Sequence, residues 1–229
     1  MPGSSVELNS VSCSVAGRPV LRGCSLEAAA GEWTALLGPS GTGKTTLLRL
    51  VAGFESPEAG ELRVDGRNAA GVPPRGRGVG MVFQDLALWP ALTVREHVES
   101  RDLIARFGLV GLEARKPGQL SGGEKQRLAI ARSLAHDPRI LLMDEPFSGL
   151  DPLLRRSIGE SLADLQRERG FTVIVVSHHL DAPVARASRV GLLRDGRVEQ
   201  SGSLAELRAA PANDWVAAFL ADESEVDVR

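Results

Sequence analysis

Long apolar stretches are missing from this sequence of 229 residues. Nowhere do about 18 apolar residues follow one another, the length that a membrane-spanning helix needs. The N-terminus also lacks a basic segment followed by an apolar one, the pattern of an export signal. We therefore expect a chain that neither spans a membrane nor is exported by the usual signal.

An excess of charge of either sign is missing as well. The 27 Lys and Arg residues nearly balance the 29 Asp and Glu residues, and the pI is near 6.1. Without an overall basic field, the composition does not favour nucleic acid or an acidic membrane surface as a partner. We expect no nucleic acid partner.

Cysteine and histidine are few and scattered. Two cysteines do not make a disulfide framework, and Cys13 and Cys24 have no His or Cys nearby at the spacing of metal ligands. The four histidines are too scattered for a zinc site. They are His97, His136, His178 and His179. We therefore expect the chain to be located in a reducing cytoplasm.

Lysine is rare, with three in the chain, and one of them completes a glycine-rich pattern. Residues 38–45 fit G-x-x-x-x-G-K-[ST], between a strand-like apolar segment and a segment that can continue as a helix. In such a P-loop, backbone N–H groups turn inward, the helix N-terminus adds partial positive charge, and the lysine neutralises the β and γ phosphates. The alternative, a glycine-rich turn with an accidental lysine, is disfavoured because lysine is so rare. The predicted nucleotide-binding residues are Gly38, Pro39, Ser40, Gly41, Thr42, Gly43, Lys44, Thr45 and Thr46.

Two consecutive acids, Asp144 and Glu145, follow a continuously apolar segment that has the pattern of a buried strand. Neighbouring side chains of a strand point in opposite directions, so the two carboxylates can have different roles. We predict that Asp144 and the hydroxyl of Thr45 bind Mg²⁺, and that Glu145 orients and deprotonates an attacking water. The alternative, two exposed acids that end a strand, is weakened by a P-loop in the same predicted sheet.

Strands alternate with helices along most of the chain, which predicts parallel βαβ units. The fold class is therefore α/β, a P-loop NTPase core with a mostly parallel sheet, an N-terminal antiparallel β lobe and an inserted helical lobe. We predict a single domain over residues 1–221, followed by an acidic tail, 222–229. The β lobe takes about 4–32 and 60–80, and the helical lobe about 86–136.

The segment 120–127, Leu-Ser-Gly-Gly-Glu-Lys-Gln-Arg, resembles the signature of the ATP-binding cassette (ABC) family. Ser121 with Glu124 three residues later also fits a helix capping box; both interpretations are compatible, because a helix N-terminus with small residues can hold an anion. The resemblance implies that Ser121, Gly122 and Gly123 close over the γ-phosphate held by the P-loop of another cassette. One chain is then half of two active sites.

Three further residues match the family's motifs in order. Gln84, after a predicted strand, matches the glutamine that senses nucleotide and magnesium, so the resemblance makes it a Mg²⁺ ligand and a catalytic residue. Asp151 ends a segment that matches the loop crossing the dimer interface. His178 matches the catalytic histidine that contacts the γ-phosphate, and His179 is the weaker candidate. The alternative is that Gln84 and His178 are exposed loop residues without a function, which is the usual case when such a residue stands alone.

Two features depart from the family. Where the family has an aromatic residue that stacks on adenine, this chain has Val15, and it contains no tyrosine at all, so the base is expected to contribute less to binding. In addition, 37 positions separate Gln84 from Ser121, which is short for the family. We therefore expect a shortened helical lobe, with one helix from residue 94 to about residue 111.

The resemblance implies an ATPase subunit of an ABC transporter at the cytoplasmic face of the cell membrane, with ATP and Mg²⁺ as its ligands. The expected partners are a second cassette in a head-to-tail dimer, integral membrane permease subunits and a substrate-binding protein. Segments 88–94 and 215–220 are similar to importer cassettes. The alternatives are an exporter subunit, a nucleotide-regulated binding module, or a soluble repair or translation ATPase, although the chain lacks the heptads of the repair type.

Overall fold

Two sheets and the helices packed on them make up the computed structural model, which describes residues 3–178, 180 and 184–222. The strands are β1 (Val6–Val15), β2 (Arg18–Ala28), β3 (Trp33–Leu37), β4 (Ala59–Val64), β5 (Arg67–Asn68), β6 (Val79–Val82), β7 (Ile140–Asp144), β8 (Thr172–Ser177), β9 (Arg189–Arg194) and β10 (Arg197–Gly202). The helices are α1 (Lys44–Ala52), α2 (Val94–His97), α3 (Arg101–Arg106), α4 (Gly122–Leu134), α5 (Pro152–Arg169), α6 (Leu204–Ala209) and α7 (Asp214–Asp222).

The N-terminal part of the chain forms an antiparallel sheet with the strand order β2-β1-β4-β5. Its first two strands have 10 and 11 residues. Their register shifts beyond Leu8, where Ser10 takes a φ of 50°, so bulges interrupt the alternation that a sequence pattern would reveal. The free thiols Cys13 and Cys24 are buried in this sheet. The predicted antiparallel lobe is confirmed.

The second sheet has the strand order β10-β9-β3-β8-β7-β6. All its strands are parallel except β10, which pairs antiparallel with β9 at one edge. Along β7, Ile140 and Leu142 join the apolar cluster shared with α1 and the antiparallel sheet, whereas Leu141 and Met143 join the cluster shared with α4 and α5. Burial on both faces explains the continuous apolar run. The predicted mostly parallel sheet is confirmed.

The inserted helical segment differs from the sequence expectation in one respect. The single helix predicted from residue 94 to about residue 111 is wrong, because two helices of four and six residues lie there. Val98 takes extended angles between them, and each helix has its own N-cap, Thr93 and Ser100. A side chain that caps a new helix satisfies N–H groups that a continuous helix would have used.

Two longer helices follow. Ser121 and Ala135 cap the two ends of α4, and Asp151 and Gly170 cap the two ends of α5. Among the described residues, no helix combines the length and the apolar character needed to cross a bilayer. The candidate His179 lies outside the described residues, as does the predicted acidic tail beyond Asp222.

Candidate active site

Four segments with predicted functional residues follow four adjacent parallel strands. The order β3, β8, β7, β6 places the P-loop after β3, His178 after β8, Glu145 after β7, and Gln84 two residues beyond β6. The carboxyl ends of parallel strands meet at one edge of a sheet, where open α/β folds bind their ligands. The topology thus gathers these residues along a single edge.

The P-loop itself needs glycine at both ends. Gly38 has a φ of 156°, and a Cβ there would lie 2.1 Å from the carbonyl oxygen of Leu193. Gly43 has a φ of 105° as the N-cap of α1, and a Cβ there would lie 2.8 Å from a methyl carbon of Leu21. Side chains would therefore be strained and obstructed at both positions. The loop keeps its backbone bare at the N-terminus of a nine-residue helix.

Lys44 is held inside this loop by main-chain oxygens. Its Nζ donates hydrogen bonds to the carbonyl oxygens of Gly38 and Pro39, at 2.7 and 2.9 Å. Burial lowers the pKa of Lys44, and the nearby carboxylates of Glu145 and Asp144 oppose that shift. The cation is therefore partly desolvated and near the bare backbone of the loop, as a site for phosphate oxygens requires.

Thr45 and Asp144 form an oxygen pair suited to Mg²⁺. The Thr45 hydroxyl donates to the Asp144 carboxylate at 3.1 Å, and Asp144 is 4% exposed. Burial raises the pKa of Asp144, with the Thr45 hydrogen bond opposing the shift. No cluster of three or more His, Cys, Asp or Glu residues able to hold a metal occurs in the described parts of the chain. A hydroxyl with one carboxylate fits Mg²⁺, which binds to few protein groups and to substrate phosphates.

Glu145 lies beside His178 at the same edge. The carboxylate Oε1 of Glu145 is 3.1 Å from Nδ1 of His178. Glu145 has a φ of 47°, and its N–H donates to the carbonyl of Val176 on the neighbouring strand. This pairing was not predicted, although the signal is present in the sequence: two segments with the pattern of buried strands end in an acid and a histidine. The pair joins a candidate base to a group that can orient it.

A cavity of about 280 Å³ lies over the P-loop. Gln84, Glu145 and Thr46 line it together with P-loop residues, so the structure brings these predicted residues together. Val20 also lines the cavity, and no sequence motif marks it. Val15, the residue expected near adenine, ends β1 with 39% of its surface exposed and does not line this cavity.

Ser121 and Asp151 are helix N-caps outside the cavity over the P-loop. Ser121 accepts a hydrogen bond from the Glu124 N–H, and the Glu124 carboxylate accepts one from the Ser121 N–H, completing the capping box. Asp151 caps α5 by accepting from the Leu154 N–H. Neither Ser121, Gly122 nor Gly123 lines the cavity over the P-loop. One chain therefore does not bring all the predicted residues into one site.

A glycine loop with Lys44 and Thr45 follows β3, and an acid pair stands at the end of β7, two strands away in the same sheet. This arrangement defines the site of a P-loop NTPase. A family model described as ABC transporter matches residues 21–148, more than half of the chain, and the chain belongs to this family.

Two curated relatives of this chain are named as import ATP-binding proteins. The chain is 43% identical over 213 residues to the sulfate/thiosulfate import ATP-binding protein CysA 2 of Chromobacterium violaceum, covering 86% of this chain and 58% of that protein. It is 42% identical over 233 residues to the spermidine/putrescine import ATP-binding protein PotA of Nitratidesulfovibrio vulgaris, covering 95% and 63%. The chain thus spans about three fifths of the length of these relatives.

Solved structures share the fold. The dimeric, post-hydrolysis structure of the ATP-binding cassette MJ0796 bound to ADP and Pi is 31% identical, with a TM-score of 0.79 over 87% of this chain and 98% of that one. A bacterial Atm1-family ABC exporter with ATP bound is also 31% identical, with a TM-score of 0.84 over 97% of this chain and 42% of that one. The fold of this chain is therefore also that of a cassette in a protein named as an exporter.

Proposed function

We propose that this chain is the ATP-hydrolysing subunit of an ABC importer. The observation that carries the proposal is the position of Glu145, which lines the cavity over the P-loop and lies 3.1 Å from His178. An acid so placed can accept the proton of an attacking water, which a binding module does not need. The import names of the curated relatives favour the importer over the exporter.

Each residue of the site has a role in this proposal. Lys44 and the backbone of the P-loop bind the phosphates of ATP. Thr45, Asp144 and Gln84 would hold Mg²⁺, which neutralises phosphate charge when it is bound. Glu145 takes the proton from water, while His178 orients Glu145 and contacts the γ-phosphate. The chemistry asked of the protein is thus positioning and charge stabilisation.

The proposal includes a head-to-tail dimer. Ser121, Gly122 and Gly123 lie at an exposed helix N-terminus away from this chain's P-loop cavity, and Asp151 caps the next helix. A second copy, or a similar cassette, would bring its signature to this P-loop and receive this chain's signature in return. Two ATP molecules are then enclosed, and hydrolysis reopens the dimer. Dimeric cassettes such as MJ0796 support this arrangement.

Phosphate release tests the proposed activity. The purified chain is incubated with ATP and Mg²⁺, and we expect the rate of phosphate release per chain to rise with protein concentration, because two chains must meet to complete a site. Omission of Mg²⁺ serves as the control. A chain that binds ATP and releases no phosphate above background, at any protein concentration, is a nucleotide-regulated binding module instead.

A groove beside the helical segment supports contact with a membrane permease. It has a volume of about 910 Å³, and Trp89 on its rim is 55% exposed. The main-chain N–H of Trp89 donates to Nε2 of His97 at 3.0 Å, the two rings stack, and the guanidinium carbon of Arg132 lies 5.0 Å from the centroid of the Trp89 ring. A rigidly held, exposed aromatic side chain is a common anchor of protein interfaces. We propose that permease subunits bind here, at the cytoplasmic face of the membrane, and that a substrate-binding protein completes the importer.

Replacement of Trp89 with Ala tests the proposed permease surface. Tagged chain is recovered with detergent-extracted membranes of its own cells, and we expect the variant to retain about a tenth or less of the bound membrane protein, since central aromatic anchors contribute 2 kcal/mol or more. Trp215→Ala, on α7, is the matched control and should leave recovery unchanged. Equal recovery with both variants would place the permease elsewhere.

Nucleotide preference tests the consequence of Val15. Stacking on an aromatic ring contributes about 1 kcal/mol, so we expect ATP and GTP affinities to agree within about tenfold. The measurement is a titration with a panel of nucleotides, and Val15→Tyr should tighten the binding of ATP and GTP alike, because every base has a face on which a ring can stack. Strict preference for ATP in the unaltered chain would contradict the expectation.

A further inference from the structure

A buried side chain links the signature helix to the residue after Glu145. Gln126 lies in the second turn of α4, five residues after Ser121, and is 7% exposed. Its Nε2 donates a hydrogen bond to the carbonyl oxygen of Pro146. Because a proline has no N–H, this carbonyl is the one main-chain group through which Pro146 can be held by hydrogen bonding. The bond therefore fixes the chain immediately after the candidate base.

Glu145 needs such support, because its backbone is in a sparsely populated conformation. A φ of 47° is uncommon for a residue other than glycine and persists where surrounding contacts hold it. On one side its N–H bonds to Val176; on the other its carbonyl accepts hydrogen bonds from the N–H and hydroxyl of Ser148. The Gln126 amide adds a fixed point from a separate helix. The direction of the Glu145 carboxylate thus depends on α4.

A second contact packs the same helix against the chain that follows. Gly123 lies so close to α5 that a Cβ there would come within 2.5 Å of a methyl carbon of Leu154. The segment from Glu145 to Asp151, which we call the Glu145 loop, is therefore bordered by α4 at Pro146 and at the start of α5. Signature helix and Glu145 loop form one packed unit.

We propose that Gln126 is a positioning residue for Glu145. Through its hydrogen bond to Pro146, Gln126 transmits the position of the signature helix to the Glu145 carboxylate of the same chain. The inference rests on the proposed ATPase function. In the dimer the signature of one chain contacts the nucleotide on the partner, whereas Glu145 acts on the nucleotide of its own chain. Gln126 thereby makes the hydrolysis step of one site depend on the closure of the other.

Replacement of Gln126 with Met tests the role. Methionine matches the length of glutamine and removes the donor, so we expect kcat to fall about tenfold, equivalent to about 1.4 kcal/mol, with the KM for ATP changed by less than about twofold. Gln166→Met is the matched control, because Gln166 on α5 donates to the carbonyls of Gly31 and Phe171, away from the site. It should leave kcat unchanged.

Thermal unfolding separates positioning from folding. Each Met variant leaves carbonyl acceptors without their donor, so both should lose stability, while Gln126→Met alone loses turnover. Gln126→Asn keeps the amide one methylene short of Pro146 and should show the same loss of kcat if the Met variant does not fold. A wild-type kcat in the folded Gln126 variants, or an equal loss in Gln166→Met, overturns the proposal.

Mixed dimers, purified through two different tags, show which site Gln126 serves. The reference pairs a wild-type chain with Glu145→Gln. Placing Gln126→Met in the chain that keeps Glu145 should reduce turnover about tenfold below the reference, whereas placing it in the Glu145→Gln chain should leave the reference rate. If turnover falls only when Gln126→Met is in the Glu145→Gln chain, Gln126 acts on the partner's nucleotide through Ser121, Gly122 and Gly123, and the proposal is overturned. Absence of turnover in the wild-type homodimer refutes the proposed function itself, and is thereby distinct from failure of this inference.

Discussion

Replacing Glu145 with Gln is expected to reduce ATP turnover about a hundredfold or more, while ATP still brings two chains together. Glutamine keeps the shape of the side chain and can still hydrogen bond to His178, but it cannot take a proton from water. ATP binding relies on the P-loop, which the substitution leaves intact. Phosphate release measures the first effect, and size-exclusion chromatography with and without ATP measures the second.

Glu160→Gln is the matched control for this prediction. Glu160 is exposed on α5, where its carboxylate lies 3.0 Å from the guanidinium of Arg156. It does not line the cavity over the P-loop. Exposed pairs of this kind contribute about 1 kcal/mol or less, so turnover and dimerisation should both remain. If Glu145→Gln hydrolyses ATP at the wild-type rate, Glu145 is not the general base. If it no longer dimerises with ATP, its role includes assembly.

The sequence is most informative about the candidate site where short motifs stand at strand ends. The pattern of residues 38–45 and the acids after the buried segment of β7 required only local spacing and the rule that parallel strands end at one edge. The α/β class and the ABC family are confirmed by the fold and the family match. The roles assigned to Glu145, Gln84 and the signature residues remain predictions.

Side-chain contacts between distant segments could not be predicted in this way. The bond from Gln126 to Pro146 joins residues 20 positions apart, and the approach of Glu145 to His178 depends on β7 and β8 being neighbours. A glutamine in an amphipathic helix gives no sign of whether it faces solvent or a carbonyl. The break between α2 and α3 was missed for a related reason, since the Ser100 cap competes with an otherwise helical pattern.

Replacing Lys44 with Met is expected to weaken ATP binding about a hundredfold, because charge-assisted hydrogen bonds to phosphate contribute about 1.5–3 kcal/mol. Methionine keeps the length of the stem in a buried position and removes the charge. Lys44 is the only cation among the described residues that line the cavity over the P-loop. Isothermal titration with ATP measures the affinity.

The stability of the nucleotide-free chain should respond differently from its affinity. Burial lowers the pKa of Lys44, so the folded chain bears a cost for this cation, and its removal offsets the loss of the hydrogen bonds to Gly38 and Pro39. We therefore expect the thermal midpoint of Lys44→Met to stay within a few degrees of wild type, on the order of 1 kcal/mol or less. Lys116→Met, at an exposed position, is the matched control and should keep both affinity and stability. Unchanged ATP affinity in Lys44→Met would mean that phosphate binds elsewhere, whereas a parallel loss of stability and affinity would make Lys44 a structural residue of the loop.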